Sequence, residues 1–193
     1  MCIRDRSGTD VTLRDVDALE LGNITANSLT ATGTDVNAST GSITTASGST
    51  FVNSAGDATN VGAAADDADP ATFELTDADL AAISGDIAVE SGGGDIDVES
   101  AELAPNQSLC LDADGGTVDF STGRTRIRGS GDLTVTNAAS ITDSAPITVG
   151  DIADFTSTGV VTLDQAGNNF LGSVNASGTD AVSYTHLTLP TKA

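Results

Sequence analysis

Short apolar-x-apolar triplets, separated by turn-forming residues, recur along almost the whole chain. Each triplet places two apolar side chains on one face of a strand and one side chain on the other. Gly, Asn, Asp and Ser occupy the gaps, which predicts close turns between short strands. This pattern is compatible with a sandwich, a barrel or a solenoid. The triplets are Val11/Leu13, Leu19/Leu21, Ile87/Val89, Ile96/Val98, Leu109/Leu111, Val118/Phe120, Leu133/Val135, Ile147/Val149 and Val161/Leu163.

Internal repeats favour the solenoid. The pattern of residues 87–98, including a double glycine, recurs 22 residues later in residues 109–120. A longer echo links residues 29–51 to residues 133–155, an offset of 104 residues. One 22-residue unit cannot bury its apolar side chains alone, but stacked coils about 4.8 Å apart align them in interior ladders. We therefore expect an all-β parallel β-helix of about eight coils, roughly 40 Å long, with a β-sandwich as the alternative.

Composition excludes several functional classes. The 193 residues include 28 acidic and 7 basic ones, a net charge of −21, and two cysteines. An acidic surface repels nucleic-acid phosphates, and a disulfide framework needs more paired cysteines. No apolar run reaches the roughly 18 residues of a membrane span. We expect no nucleic-acid partner and no membrane span in this segment.

Both ends resemble translated sequencing adapter. The N-terminal letters MCIRDR and the C-terminal letters VSYTHLTLPT match the two orientations of one transposon-end element. We expect residues 1–6 and 182–193 to be adapter-derived. The natural segment, residues 7–181, is then an internal piece of a longer protein.

One stretch interrupts the repeats. Residues 63–70 are rich in Ala and Asp and lack large apolar side chains. The following residues predict a short helix within 76–84, capped by Thr76, with Asp79 at its third position. The expected organisation is β-solenoid repeats over 7–62, a loop and short-helix insertion over 63–85, and β-solenoid repeats over 86–181.

Residues 131–181, GDLTVTNAASITDSAPITVGDIADFTSTGVVTLDQAGNNFLGSVNASGTDA, resemble repeats of the filamentous-haemagglutinin-like adhesins. Residues 10–33, DVTLRDVDALELGNITANSLTATG, look like the next unit of such an array. The resemblance implies a right-handed parallel β-helix, exported by a two-partner or autotransporter route and located extracellularly or on the outer surface of a Gram-negative cell. It carries over no cell-attachment motif and no catalytic set.

The resemblance implies a non-catalytic, rigid stalk within a large secreted or cell-surface adhesin. Its partners would be neighbouring solenoid repeats of the same longer chain, with host or cell-surface glycans or proteins bound through regions outside the segment. The alternative is a calcium- or glycan-binding repeat module of an extracellular matrix or surface-layer protein. We assign no catalytic, cofactor-binding or metal-binding residues, and we expect no enzyme activity and no cofactor.

Calcium is the ion that acidic, glycine-rich turns could bind through oxygen ligands. Ser91–Val98 partly resembles the nonapeptide of calcium β-rolls, and Asp112–Gly116 begins like an EF-hand loop. Gly123 stands where the EF-hand needs a bidentate Glu. The alternative is that these residues form corner turns with solvated carboxylates.

Two further features have competing interpretations. Arg124, Arg126 and Arg128 alternate along one strand, either to contact an anionic glycan or to compensate acidic stripes such as Asp95/Asp97/Glu99 or Asp112/Asp114. Cys110 faces away from Leu109 and Leu111, and no histidine of the segment 7–181 could activate it. We expect Cys110 to be a small structural side chain.

Overall fold

The computed structural model describes residues 2–3, 6–62 and 72–183, with side chains for 7–62 and 72–182. The predicted loop at 63–70 and most of the two adapter-derived ends lie outside the described residues. The elements are β1 (Cys2–Ile3), β2 (Arg6–Arg14), β3 (Ala18–Leu21), β4 (Ile24–Gly33), β5 (Asp35–Asn37), β6 (Ile43–Thr45), β7 (Ser49–Asn53), β8 (Ala58–Val61), β9 (Thr72–Leu75), α1 (Asp77–Ala82), β10 (Ile83–Ser84), β11 (Ile87–Glu90), β12 (Ile96–Val98), β13 (Ala101–Glu102), β14 (Leu109–Asp112), β15 (Thr117–Phe120), β16 (Thr125–Ile127), β17 (Leu133–Ala138), β18 (Ser140–Asp143), β19 (Ile147–Val149), β20 (Ala153–Ser157), β21 (Val160–Leu163), β22 (Asn169–Phe170), β23 (Val174–Ser177) and β24 (Asp180–Ser183).

The strands stack in parallel as a β-solenoid of about 8 turns, with equivalent strands about 21 residues apart. The predicted all-β solenoid is therefore confirmed, and the sandwich alternative is wrong because the strand pairs are parallel. We name the three sides of a coil by their strands. Face 1 contains β2, the second half of β4, β7, β11, β14, β17, β20 and β23. Face 2 contains β3, β5, β9, β8, β12, β15, β18, β21 and β24.

Face 3 joins face 2 to face 1 in each coil. In the C-terminal half it is a separate sheet with the order β13-β16-β19-β22. In the N-terminal half β10, β6 and the first half of β4 occupy this position and extend the sheet of face 1. The coils therefore have three short sides, which enclose one narrow core.

Apolar ladders fill that core. On face 1 the register continues from one coil to the next along the row Val11, Leu29, Ser49, Ile87, Leu109, Leu133, Ala153 and Val174. Both apolar residues of each of the nine predicted triplets are buried. Phe120 and Phe155 meet edge to face, with their ring centroids 6.5 Å apart. The apolar-x-apolar alternation in the sequence thus predicted the interior positions correctly.

The double glycines serve two different needs of a tight corner. Gly93 and Gly115 have φ values of +106° and +99°, a region that glycine enters at little steric cost. Gly94 and Gly116 have negative φ, but a Cβ on either would collide with the backbone of the preceding coil. The repeated Gly-Gly therefore combines a left-handed turn with a close approach between coils.

The predicted short helix is present as α1. Thr76 is its N-cap, and Asp79 completes a capping box with it, as expected from the sequence. Leu80 and Ile83 are both buried. Within the described ranges, no helix has the length and apolar character needed to cross a membrane.

The interval 63–85 also contributes a strand that the sequence analysis did not assign, although Phe73 and Leu75 form an apolar-x-apolar triplet. β9 pairs in parallel with β8, and its Phe73 and Leu75 are fully buried. On its other side β9 lies against β5, where the Glu74 N–H donates to Asp35 Oδ1 at 3.0 Å. β9 is therefore an additional strand of face 2.

Phe120 tests the core ladder. Phe120→Ala should lower the free energy of unfolding by about 3–5 kcal/mol, because it leaves a cavity between fully buried neighbours. Urea denaturation of the full chain measures this change. Asp119→Asn, which alters the outward-facing neighbour, is the control and should change stability by about 0.5 kcal/mol or less. Equal stability of both variants would contradict the placement of Phe120 in the core.

Candidate functional site

The outward-facing side chains sort by charge among the three faces. On face 2 Asp97 stacks in register with Asp119, and on face 1 Glu90 stacks with Asp112. On face 3 Arg126 lies between Glu102 and Thr148. Stacked carboxylates on faces 1 and 2 thus contrast with an arginine-bearing face 3.

The carboxylates predicted as calcium ligands are engaged in contacts between coils. Asp95 Oδ1 accepts the Thr117 N–H at 2.7 Å, and hydrogen bonds from Thr117 hold the pKa of the Asp95 carboxyl below its usual range. Asp97 Oδ1 accepts the Ser121 hydroxyl. These bonds join residues 22 and 24 positions apart, so they connect one coil to the next.

The second predicted calcium segment is engaged in the same way. Asn137 Nδ2 donates to both carboxylate oxygens of Asp112 at 3.0 Å, and the Asp114 N–H donates to Asp112 Oδ1 at 3.1 Å. The side chains that the structure describes contain no group of three or more His, Cys, Asp or Glu residues arranged to hold a metal ion. Asp114 and Gly115 have φ values of +44° and +99°, so Asp112–Gly116 forms a tight corner turn.

The three arginines share one strand face, as predicted. Arg126 points outward from β16, and Arg128 does so just after the strand ends. Thr125 and Ile127, which alternate with the arginines, are fully buried. Glu102 of the preceding coil lies 3.6 Å from Arg126 and 3.0 Å from Arg128. Charge compensation is thus present, but its partner is Glu102 and not the predicted acidic stripes, which lie on other faces.

Cys110 lies in a shallow groove on face 1. The groove has a volume of about 310 Å³ and crosses five coils from Ser28 to Thr134. Its floor is one outward row in register: Thr30, Thr50, Ala88, Cys110 and Thr134. Burial raises the pKa of the Cys110 thiol, and the nearby Asp112 and Glu90 carboxylates raise it further. The thiol is therefore a weak nucleophile, as its predicted structural role requires.

Sequence reasoning missed the buried polar residues that fasten the coils. Asp143 pairs in register with Phe120 of the preceding coil, so a carboxylate occupies an apolar position of the ladder. It is buried and accepts hydrogen bonds from the Asp164 N–H and from Asn168 Nδ2. Asn168 Oδ1 in turn accepts the Ile147 N–H at 2.9 Å. A polar residue at an apolar position of the repeat was the available signal for this network.

Asp79 caps α1 as expected, and it also accepts hydrogen bonds from residues that are distant in sequence. Its Oδ1 accepts the N–H groups of Ala38 and Ser39 at 2.6 and 2.7 Å. Its Oδ2 accepts the backbone and hydroxyl groups of Thr76 at 2.9 and 2.6 Å. This buried carboxylate therefore joins α1 to the coil that contains β5.

Calcium should leave the melting temperature of the full chain unchanged, because carboxylate oxygens of Asp95, Asp97 and Asp112 already accept hydrogen bonds from the next coil. Differential scanning calorimetry with millimolar calcium, compared with the same concentration of magnesium, measures this. An increase in Tm specific to calcium would contradict the corner-turn interpretation of Ser91–Val98 and Asp112–Gly116.

Cys110 should react slowly with iodoacetamide. Its raised pKa means that the thiolate fraction at pH 8 is smaller than for an unperturbed cysteine, and the rate should rise only at higher pH. The measurement uses the Cys2→Ser variant, with urea-unfolded protein as the control. A folded rate equal to the unfolded rate would show that the groove does not shield the thiol.

Comparison with protein families gives one match. The model of the family described as "Repeats of unknown function (DUF5649)" matches residues 8–69 and 107–177. No curated protein and no solved structure matches the chain. The two matched blocks cover the regular coils on either side of β9 to β13, and together they exceed half of the sequence. The chain therefore belongs to this family of repeats.

Proposed function

We propose that this segment is a non-catalytic structural section of a large secreted or cell-surface bacterial adhesin, in which it acts as a rigid stalk. The observation that carries the proposal is the uninterrupted interior register along face 1, from Val11 to Val174. A function that depends on length and stiffness needs such a continuous core.

The mechanism is mechanical. Each coil buries its apolar side chains only against its neighbours, so stability is shared between adjacent repeats. Backbone hydrogen bonds between parallel strands run along the rod axis, and close packing of the ladder resists bending. A binding region carried at the end of such a rod is held at a fixed distance from the cell.

The outer surface fits an exposed stalk. A net charge of −21 makes copies repel one another and keeps an extended surface in solution. The acidic side chains lie mostly at turns and outward strand positions, where they bond between coils.

The alternative is a glycan- or calcium-binding repeat module of an extracellular matrix or surface-layer protein. The groove on face 1 favours the glycan form, because Ser, Thr and Asp side chains line much of it. Hydroxyl and carboxylate groups can exchange hydrogen bonds with sugar hydroxyls.

Pulling on the full chain tests the stalk function. With handles at the two ends, an atomic force microscope should record force peaks separated by about 70 Å of released chain, the contour length of one 21-residue coil. Extension without force peaks would contradict a load-bearing stalk.

Antibodies against the chain should also label intact source cells, and labelling only after lysis would contradict surface display.

A glycan array separates the two candidate functions. The stalk predicts no retained glycan, whereas the alternative predicts a hit that is lost in Thr50→Lys, which places a long side chain in the groove. Thr162→Lys, an outward substitution on face 2, is the matched control.

A further inference from the structure

The three faces do not contain the same number of layers around β9. On face 1, β4, β7, β11 and β14 follow one another in direct register, which makes three steps. Over the same coils face 2 runs through β5, β9, β8, β12 and β15, which makes four steps. Face 2 is therefore one strand longer than face 1 between the same two coils.

The corner between faces 2 and 3 also receives an additional element at this level. β10 pairs with β6 on one side, but α1 contacts both β10 and β13. α1 thus lies beside β10 and β13, where the C-terminal coils begin their separate sheet on face 3. Face 2 and its corner with face 3 have gained an element, while face 1 has gained none.

We propose that β9 and α1 form a wedge that bends the rod toward face 1 between the coil of β5 and the coil of β8. One additional strand lengthens face 2 by about 4.8 Å. Across a distance of about 10 Å between packed sheets, this corresponds to a bend of the rod by roughly 25°. The groove on face 1 includes β7 and β11, so it lies on the concave side. The stalk function is not needed for this inference, which depends on topology alone.

The family comparison places the wedge segment outside the matched repeats. Both strands that flank β9 on face 2, β5 and β8, belong to the matched block of residues 8–69, whereas β9 and α1 follow that block in the chain. The wedge is thus a joint between two coils of one block, formed by a segment that the match does not include.

Asp79 fixes the wedge to the N-terminal block. Its carboxylate is 2 % exposed and accepts four hydrogen bonds, two from Ala38 and Ser39 in the corner after β5 and two from Thr76. The neighbouring Asp77 is exposed and approaches Ser100 Oγ at 3.3 Å. Asp79 is therefore a positioning residue of the joint, and Asp77 offers a matched control.

Deleting residues 63–80 tests the wedge. The deletion leaves Gly62, Ala81 and Ala82 between β8 and β10, a length within the two to four residues that connect faces 2 and 3 at Val98–Ala101 and Phe120–Thr125. β8 should then pair directly with β5. The distances are measured with spin labels in a Cys2→Ser, Cys110→Ser background. One pair of labels is on face 2 and another pair is on face 1.

The face 2 pair is Glu20→Cys with Thr162→Cys, and the face 1 pair is Thr12→Cys with Thr134→Cys. Double electron–electron resonance should show the face 2 distance shortened by about 5 Å and the face 1 distance unchanged. An unchanged face 2 distance, or equal shortening on both faces, overturns the wedge.

Point variants keep the proposal testable if the deleted chain does not fold. Asp79→Asn removes one acceptor oxygen, so it should broaden the face 2 distance distribution and leave face 1 unchanged. Asp77→Asn should broaden neither distribution. Equal effects of the two variants, or no effect of Asp79→Asn, would overturn the role of Asp79 in holding the joint.

Discussion

The parallel stacking of each coil on the next is the constraint on which the rest of the structure depends. A single coil exposes its apolar residues, so Leu109, Leu111, Val118 and Phe120 become buried only when neighbouring coils cover them. The same stacking pairs the backbone groups of every strand. Core and hydrogen bonding are therefore one cooperative arrangement, which extends along the rod without a separate globular centre.

Stacking also determines what the surface can do. Outward positions repeat at each coil, so a carboxylate on one coil lies over the same position of the next, as Asp97 lies over Asp119. Such repulsion is offset by bonds to neighbouring hydroxyl and backbone groups, for example from Thr142 Oγ1 to Asp119 Oδ1 at 2.9 Å. A surface organised in this way favours an extended, highly charged rod over a converging site.

Much of the core was predictable because strand period and coil period are local properties of the sequence. The triplets, the Gly-Gly corners and the α1 capping box were each visible in short windows. β9 was not assigned, although Phe73 and Leu75 form such a triplet, because a single triplet beside the Ala/Asp-rich stretch does not reveal that β5 and β8 will cover it. The ion-pair partner of the arginines was also missed. Glu102 is one of many acidic residues in the sequence, and only the register between coils places it beside Arg126 and Arg128.

The sequence by itself determined the repeating strand, the turn chemistry and the acidic, thin-cored character of the chain. These properties follow from side-chain alternation and glycine conformation, which act over a few residues. Only the tertiary structure decided the order of strands on face 2, where β9 lies between β5 and β8, and the bond from Asp79 to the corner after β5. Pairings across some 40 residues depend on which edges are free once the coils have stacked, and no local pattern encodes that competition.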